Sequence, residues 1–181
     1  MPEPRATRRG LLGLAAAASL GGCGFRPMYA PEGRSATPDY EERVTRELAA
    51  VQVALQGERT GQLFRRALQE KLNPRGTGVA ARYEIRTGLT IAADPLGFRR
   101  DGTLSRVRYN GAAPWTLVVL GTPPVALTAG RARSFESYDV LDNQFFASDF
   151  AQEEAIRRLI EILSDDIVTR LALYFRSQPA G

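Results

Sequence analysis

From Ser148 or Asp149 to about Phe175, apolar side chains recur at helical spacing: Ala155, Ile156, Leu159, Ile160, Leu163, Ile167 and Leu171. A stripe of that length must be buried against another element, because an amphipathic helix has no partner surface of its own. Asp149, with Gln152 three residues on, resembles a capping box at the start of the run. Glu153/Arg157, Glu154/Arg158 and Asp166/Arg170 are acid-before-base pairs four apart, each contributing about 0.2–0.5 kcal/mol. A solvated outer surface accounts for these charges.

The surface that receives the stripe is legible upstream. Residues 48–55 (LAAVQVAL) alternate in part and end at Gln56-Gly57, which reads as a first strand. Thr60 begins a helix with Leu63, Phe64, Ala67, Leu68 and Leu72 on one face and Gln62, Arg66 and Glu70 on the other. Asn73-Pro74 stops it, since the residue before proline avoids helical geometry. Tyr83, Ile85, Leu89 and Ile91 sit at odd positions with polar residues between them, the pattern of a half-buried strand. Thr87 and Gly88 weaken its middle, and Asp94-Pro95 reads as an interruption or a bulge. Phe98-Arg99-Arg100 leads into Asp101-Gly102, a hairpin signal. The return strand carries Val107 and Tyr109 between Arg106 and Arg108. Asn110-Gly111 and Pro114 predict an irregularity before residues 115–120. Gly121-Thr122-Pro123-Pro124 turns the chain into a last strand over 125–138, where Arg131 and Arg133 alternate with Ala132 and Ser134. The order β-α-β-β-β-α predicts an α/β (α+β) two-layer sandwich. Its mixed sheet has about four strands, the last three antiparallel neighbours, and two helices cover one face.

The N-terminus has another character. Arg5, Arg8 and Arg9 precede an apolar run over 11–20, the layout of a secretory signal peptide. Leu20-Gly21-Gly22-Cys23 then resembles a bacterial lipobox, in which the cysteine is acylated and the signal is cut just before it. The rival readings are an ordinary signal with a stray thiol, or a buried core helix. Four glycines between positions 10 and 22 oppose the helix, and the run is short of the roughly 20 apolar residues that span a bilayer. Thr7 to Leu12 also resembles a twin-arginine signal, although a plain basic leader explains it. The expected organisation is a signal over 1–22, a lipidated tether over 23–40, one domain over 41–177 and a tail over 178–181. Pro27, Pro31, Pro38, Gly24 and Gly33 give the tether its extended composition.

Absences narrow the function. The chain has no histidine and one cysteine. Histidine-based triads and the usual zinc sites are excluded, and no disulfide can form within the chain. No glycine-rich phosphate loop precedes Lys-Ser or Lys-Thr. A carboxylate-pair hydrolase stays open in principle, but the acids mostly sit in helices beside arginines. The net charge of +4 falls by two once the leader is removed, so a nucleic-acid partner is not implied. The chain reads as a binding or assembly protein without metal or cofactor, apart from diacylglycerol and N-acyl lipid expected on Cys23.

Cys23-Gly24-Phe25-Arg26-Pro27-Met28-Tyr29 is similar to the opening of mature lipopolysaccharide-assembly lipoproteins of the LptE family. Cys-Gly followed by an aromatic is common there, and Cys-Gly-Phe-Arg-Pro-Leu-Tyr occurs in alphaproteobacterial members. Arg59-Thr60-Gly61-Gln62-Leu63 with Asn73-Pro74 resembles the family's first helix. Residues 98–109 resemble its central hairpin, and Arg133-Ser134-Phe135 with 147–155 resembles its last strand and entry to the last helix.

The resemblance implies an outer-membrane lipoprotein on the periplasmic side, held by its lipid. It would plug and help fold a large translocon β-barrel (LptD-type) and bind lipopolysaccharide. Gly24 after the lipidated cysteine agrees with outer-membrane sorting. Arg100, directly before Asp-Gly, and its neighbour Arg99 become candidates for contacting lipopolysaccharide phosphates. Ser148 stands where some members carry a second basic residue. Arg106 and Arg108, with Arg131 and Arg133, could replace that residue if their alternation puts them on one sheet face. Tyr109, Trp115 and Phe135 are candidates for anchoring the barrel interface. Solvated arginines and core aromatics explain the same residues equally well. Another periplasmic lipoprotein module, such as a barrel-assembly accessory or a secretin pilot, is the alternative function.

Overall fold

The structure is a computed structural model that describes residues 38–142 and 144–178. Cys23, the leader and most of the expected tether lie outside the described residues. The elements are α1 (Pro38–Ala49), β1 (Val51–Val53), α2 (Arg59–Leu72), β2 (Tyr83–Thr87), β3 (Thr90–Phe98), β4 (Leu104–Val119), β5 (Val125–Asp139) and α3 (Phe145–Ser177). This is the α+β arrangement expected, with one more strand and one more helix.

α1 was not legible. It begins at Pro38, inside the stretch read as tether, where proline is tolerated because a first-turn N–H has no helical acceptor. The predicted strand over 48–55 shrinks to Val51–Val53, because the helix runs through Leu48. Only Val44 and Leu48 mark the apolar side of α1 in the core, too little periodicity to read. Glu47 ties α1 to β2, accepting from Arg82 at 2.6 Å and from the Tyr83 hydroxyl at 2.8 Å. Partial burial pushes the Glu47 carboxyl up, but these two partners outweigh it and hold the carboxyl below its ordinary value.

β4 is the spine of the sheet. β5 runs antiparallel along one edge, from Arg106↔Asp139 to Val119↔Val125. The other edge is shared end to end: β3 pairs with the first half of β4, and β2 pairs with Trp115 to Val119. β1 lies parallel outside β2. The single strand expected through Tyr83 and Ile91 therefore leaves the ladder at Gly88-Leu89. The cause sits opposite. Pro114 has no N–H to offer, and its carbonyl accepts from the Gly88 N–H at 3.3 Å and the Thr87 hydroxyl at 2.8 Å. The irregularity expected within β4 at Asn110-Gly111 and Pro114 is absent, since both keep register with β5. The shift in that ladder falls between Leu117 and Val118. Pro95 remains paired with Val107, followed by a register shift toward Gly97, as suits a proline on an edge strand.

Odd-numbered residues of β4 (Val107, Tyr109, Ala113, Trp115, Leu117) point into the core. α3 supplies Leu159, Leu163, Ile167 and Leu171, and α2 supplies Phe64, Leu68 and Leu72. At Gly111 the helix comes close to the sheet: a Cβ there would lie 2.9 Å from Leu163 Cδ1 and 3.0 Å from Leu159 Cδ2. Gly130 likewise leaves room for the Trp115 ring, which a Cβ would meet at 2.7 Å. Lys71 joins the two helices through Glu161 and Asp165, each at 2.8 Å.

α3 starts at Phe145, before the Asp149–Gln152 pair, so that pair caps nothing. Gln144 occupies the N-cap position without a side-chain capping bond. Among the described residues no helix is long and apolar enough to cross a membrane.

Gly111→Val forces a branched side chain against Leu159 and Leu163. It is expected to cost about 1–3 kcal/mol in urea unfolding. An unchanged midpoint would show that α3 does not depend on this approach.

Candidate functional site

The helices cover only one face of the sheet. On β4 the residues between the core positions are Arg106, Arg108, Asn110, Ala112, Pro114 and Thr116. Their partners directly across share that face. The register therefore places Asp139, Ser137, Phe135, Arg133 and Arg131 of β5 beside them, with Asp94 of β3 and Arg86 of β2 on the other side. Arg106, Arg108, Arg131 and Arg133 do alternate onto one face, as the sequence reading required of them. Arg86 joins them. Its parity opposite Ile85 carried that signal in the sequence.

The arginines differ in how free they are. Arg86 is paired with Glu84 at 2.8 Å. Arg106 donates to the Ser137 hydroxyl at 3.0 Å and lies 3.7 Å from Asp139. The Arg108 guanidinium lies over the Phe135 ring, 5.2 Å from its centroid, and its buried Nε–H has no acceptor among the described residues. Arg131 and Arg133 are exposed and have no hydrogen bond or ion pair to the described residues. Asp94, the acid nearest Arg108 in register, is taken by Asn110 Nδ2 at 2.5 Å. The face is thus cationic, with spare donors on Arg131 and Arg133 along β5.

Of the three aromatic candidates, only Phe135 lies on this face, and it is 64% exposed. Tyr109 and Trp115 have core parity and pack beneath α3, so their placement is that of core residues. Tyr109 stacks on Tyr138 with centroids 5.5 Å apart. Burial, followed by the contact with Tyr138, raises its hydroxyl pKa. Trp115 Nε1 is buried without an acceptor among the described residues.

The two hairpin arginines also part company. The β3–β4 turn closes through Arg99 N–H to the Thr103 carbonyl at 2.8 Å and Gly102 N–H to the Arg99 carbonyl at 3.0 Å. Gly102 takes φ +85°, which the absence of a side chain permits. Asp101 accepts from the Thr103 amide and hydroxyl, and these bonds lower its pKa. The Arg99 guanidinium donates to the carbonyls of Leu104 and Val140, lacing the hairpin to the end of β5. Arg100 stands exposed at the tip. Ser148 falls inside the first turn of α3, and its hydroxyl accepts the Leu141 N–H at 3.0 Å.

Two acids, Asp139 and Glu154, line a common cleft near this end of the sheet. Each has an arginine partner: Arg106 at 3.7 Å for Asp139, and Arg157 at 2.5 Å for Glu154. They are engaged as ion pairs rather than left facing one another.

Arg99→Ala is expected to destabilise the domain by about 1–2 kcal/mol, because it strips charge-assisted bonds from two backbone carbonyls. Arg100→Ala should stay within about 0.5 kcal/mol. Equal shifts in thermal melting would contradict the separate roles.

Solved structures of other proteins share this fold, among them the following three. A protein of Caulobacter crescentus CB15 assigned as a lipoprotein aligns with TM-score 0.61 and 20% identity, covering 75% of this chain and 97% of its own. Rare lipoprotein B of Shewanella oneidensis aligns with TM-score 0.51 and 12% identity, covering 68% and 92%. The minor lipoprotein of Acinetobacter baumannii gives TM-score 0.51 and 14% identity, covering 71% and 94%. No curated protein matches the sequence. Residues 32–171 match the LptE family, described as lipopolysaccharide-assembly. That match spans well over half of the chain, which therefore belongs to the LptE family of lipopolysaccharide-assembly proteins.

Proposed function

We propose that this chain is an outer-membrane lipoprotein that binds lipopolysaccharide and serves as plug and folding partner of the β-barrel that exports it. Acylation of Cys23 anchors it, with the domain on the periplasmic side. Family membership supports the pathway. The observation that carries the binding role is the uncovered sheet face, where Arg106, Arg108, Arg131 and Arg133 are strung along β4 and β5 on one side and Arg108 lies over Phe135. Lipopolysaccharide presents phosphates and acidic sugars. Arginine grips such groups through paired N–H donors, and on this face the exposed Arg131 and Arg133 are not committed elsewhere among the described residues. The work proposed is binding and assembly, without catalysis.

Arg100 at the tip extends the cationic surface beyond the face. Arg99 also laces the hairpin to the end of β5, so a binding test that changes Arg99 would confuse stability with affinity. Phe135 is the aromatic available to a barrel wall.

Arg131→Glu with Arg133→Glu is expected to weaken lipopolysaccharide binding by about tenfold or more while leaving the melting temperature in place. The same variant should fail to restore surface lipopolysaccharide in cells depleted of the wild-type chain. Unchanged binding by a folded variant would remove this face from the reading. Normal surface lipopolysaccharide after depletion would overturn the function.

A further inference from the structure

The end of the sheet that carries the hairpin is ringed by large apolar side chains that nothing in the domain covers. Phe146 is 93% exposed, Phe150 67% and Phe98 63%, with Leu141 at 45% and Leu104 at 39%. They come from three segments, and the structure gathers them. Phe98 pairs with Leu104 across the hairpin. Arg99 ties that pair to the end of β5 through the Leu104 and Val140 carbonyls. The Leu141–Ser148 bond then sets Leu141 against the first turn of α3, the turn that carries Phe146. Between β5 and α3 a cleft of about 390 Å³ opens on this end, lined by Tyr138, Leu141, Phe150 and Ala151, with Asp139, Glu154 and Arg158 also lining it. A cluster of exposed apolar side chains rimmed by charge marks a contact surface.

The charges beside it choose the occupant. Arg100 stands at the tip. Arg106 and Arg108 lie two and four residues along β4 from Leu104, on the order of 7 and 13 Å. Arg100 presents an exposed positive charge beside these apolar side chains, whereas Arg106 is shared with Asp139 and Ser137. A partner that uses both surfaces must carry anionic groups and apolar chains within that short span. Resting on the function proposed above, we infer that the apolar end receives acyl chains of lipopolysaccharide while the arginines of the open face hold its anionic groups. Phe98 and Leu104 lie on the hairpin side of the bound chains. Leu141 and Phe150 line the cleft, and Phe146 lies exposed on the first turn of α3.

The test compares the full wild-type chain with a Phe98→Thr, Phe146→Gln, Phe150→Gln variant. All three side chains are largely exposed, so folding is expected to survive, and circular dichroism melting checks it. The probes are intact lipopolysaccharide, the same lipopolysaccharide with its acyl chains removed, and vesicles of phosphatidylethanolamine and phosphatidylglycerol. The wild type should prefer the intact form by about tenfold or more, and the variant should bind both forms as the wild type binds the deacylated one. A folded variant that keeps the preference, or a wild type without one, overturns the inference and leaves lipopolysaccharide binding standing. Binding of neither form by the wild type removes the underlying function as well. Loss of vesicle binding in the variant, without a change in acyl preference, would assign this end to the bilayer and overturn the inference.

Discussion

The approach of α3 to β4 at Gly111 governs the rest of the structure. With Leu159 and Leu163 set against a position that has no side chain, the long helix lies close on the sheet, flanked by Ala113 and Ala132. Core parity along β4 is thereby fixed, and pairing carries it to β3 and β5. A strand has two faces, so burying Tyr109 and Trp115 sends Arg106, Arg108 and, through register, Arg131 and Arg133 to the other side. The cationic surface follows from how the core packs.

Much of this was legible because it rests on periodicity. The apolar stripe of α3, the helix stopped by Asn73-Pro74 and the alternation around Val107 each report a buried face directly. The alternation of Arg131 and Arg133 with small residues predicted their shared side. Other features depend on partners distant in sequence. α1 has two core residues and gains its place by packing and by the Glu47 contacts. The break at Gly88 is decided by Pro114, more than twenty residues later. Asn110-Gly111 reads as an irregularity in isolation, yet both residues keep strand register with β5, and Gly111 leaves the space that Leu159 and Leu163 of α3 occupy. Asp149 and Gln152 have capping chemistry but sit past the true helix start.

The candidate residues divide along the same line. Sequence can assign a side chain to one of two alternating sets, but not say which set the helices will cover. Tyr109 and Trp115 fell on the covered side and Phe135 on the open one. Arg99 and Arg100 are adjacent and alike in type, yet the carbonyls of Leu104 and Val140 capture one and leave the other in solvent. The apolar end is assembled from a strand end, a loop and a helix start, so no single window of sequence displays it.

The division of one β4 edge between β2 and β3 has an architectural consequence. β2 and β1 belong to the part of the sheet packed under the helices, whereas most of β3 is exposed on both faces. With the ladder interrupted at Gly88-Leu89, opposite a proline, the two halves are registered independently. The arm formed by β3, the hairpin and the start of β4 can change in length, or take a bulge as it does beyond Pro95, without shifting a single pairing in the inner half. Reach and core packing are thus separate variables in this fold, and a lineage can alter one while conserving the other.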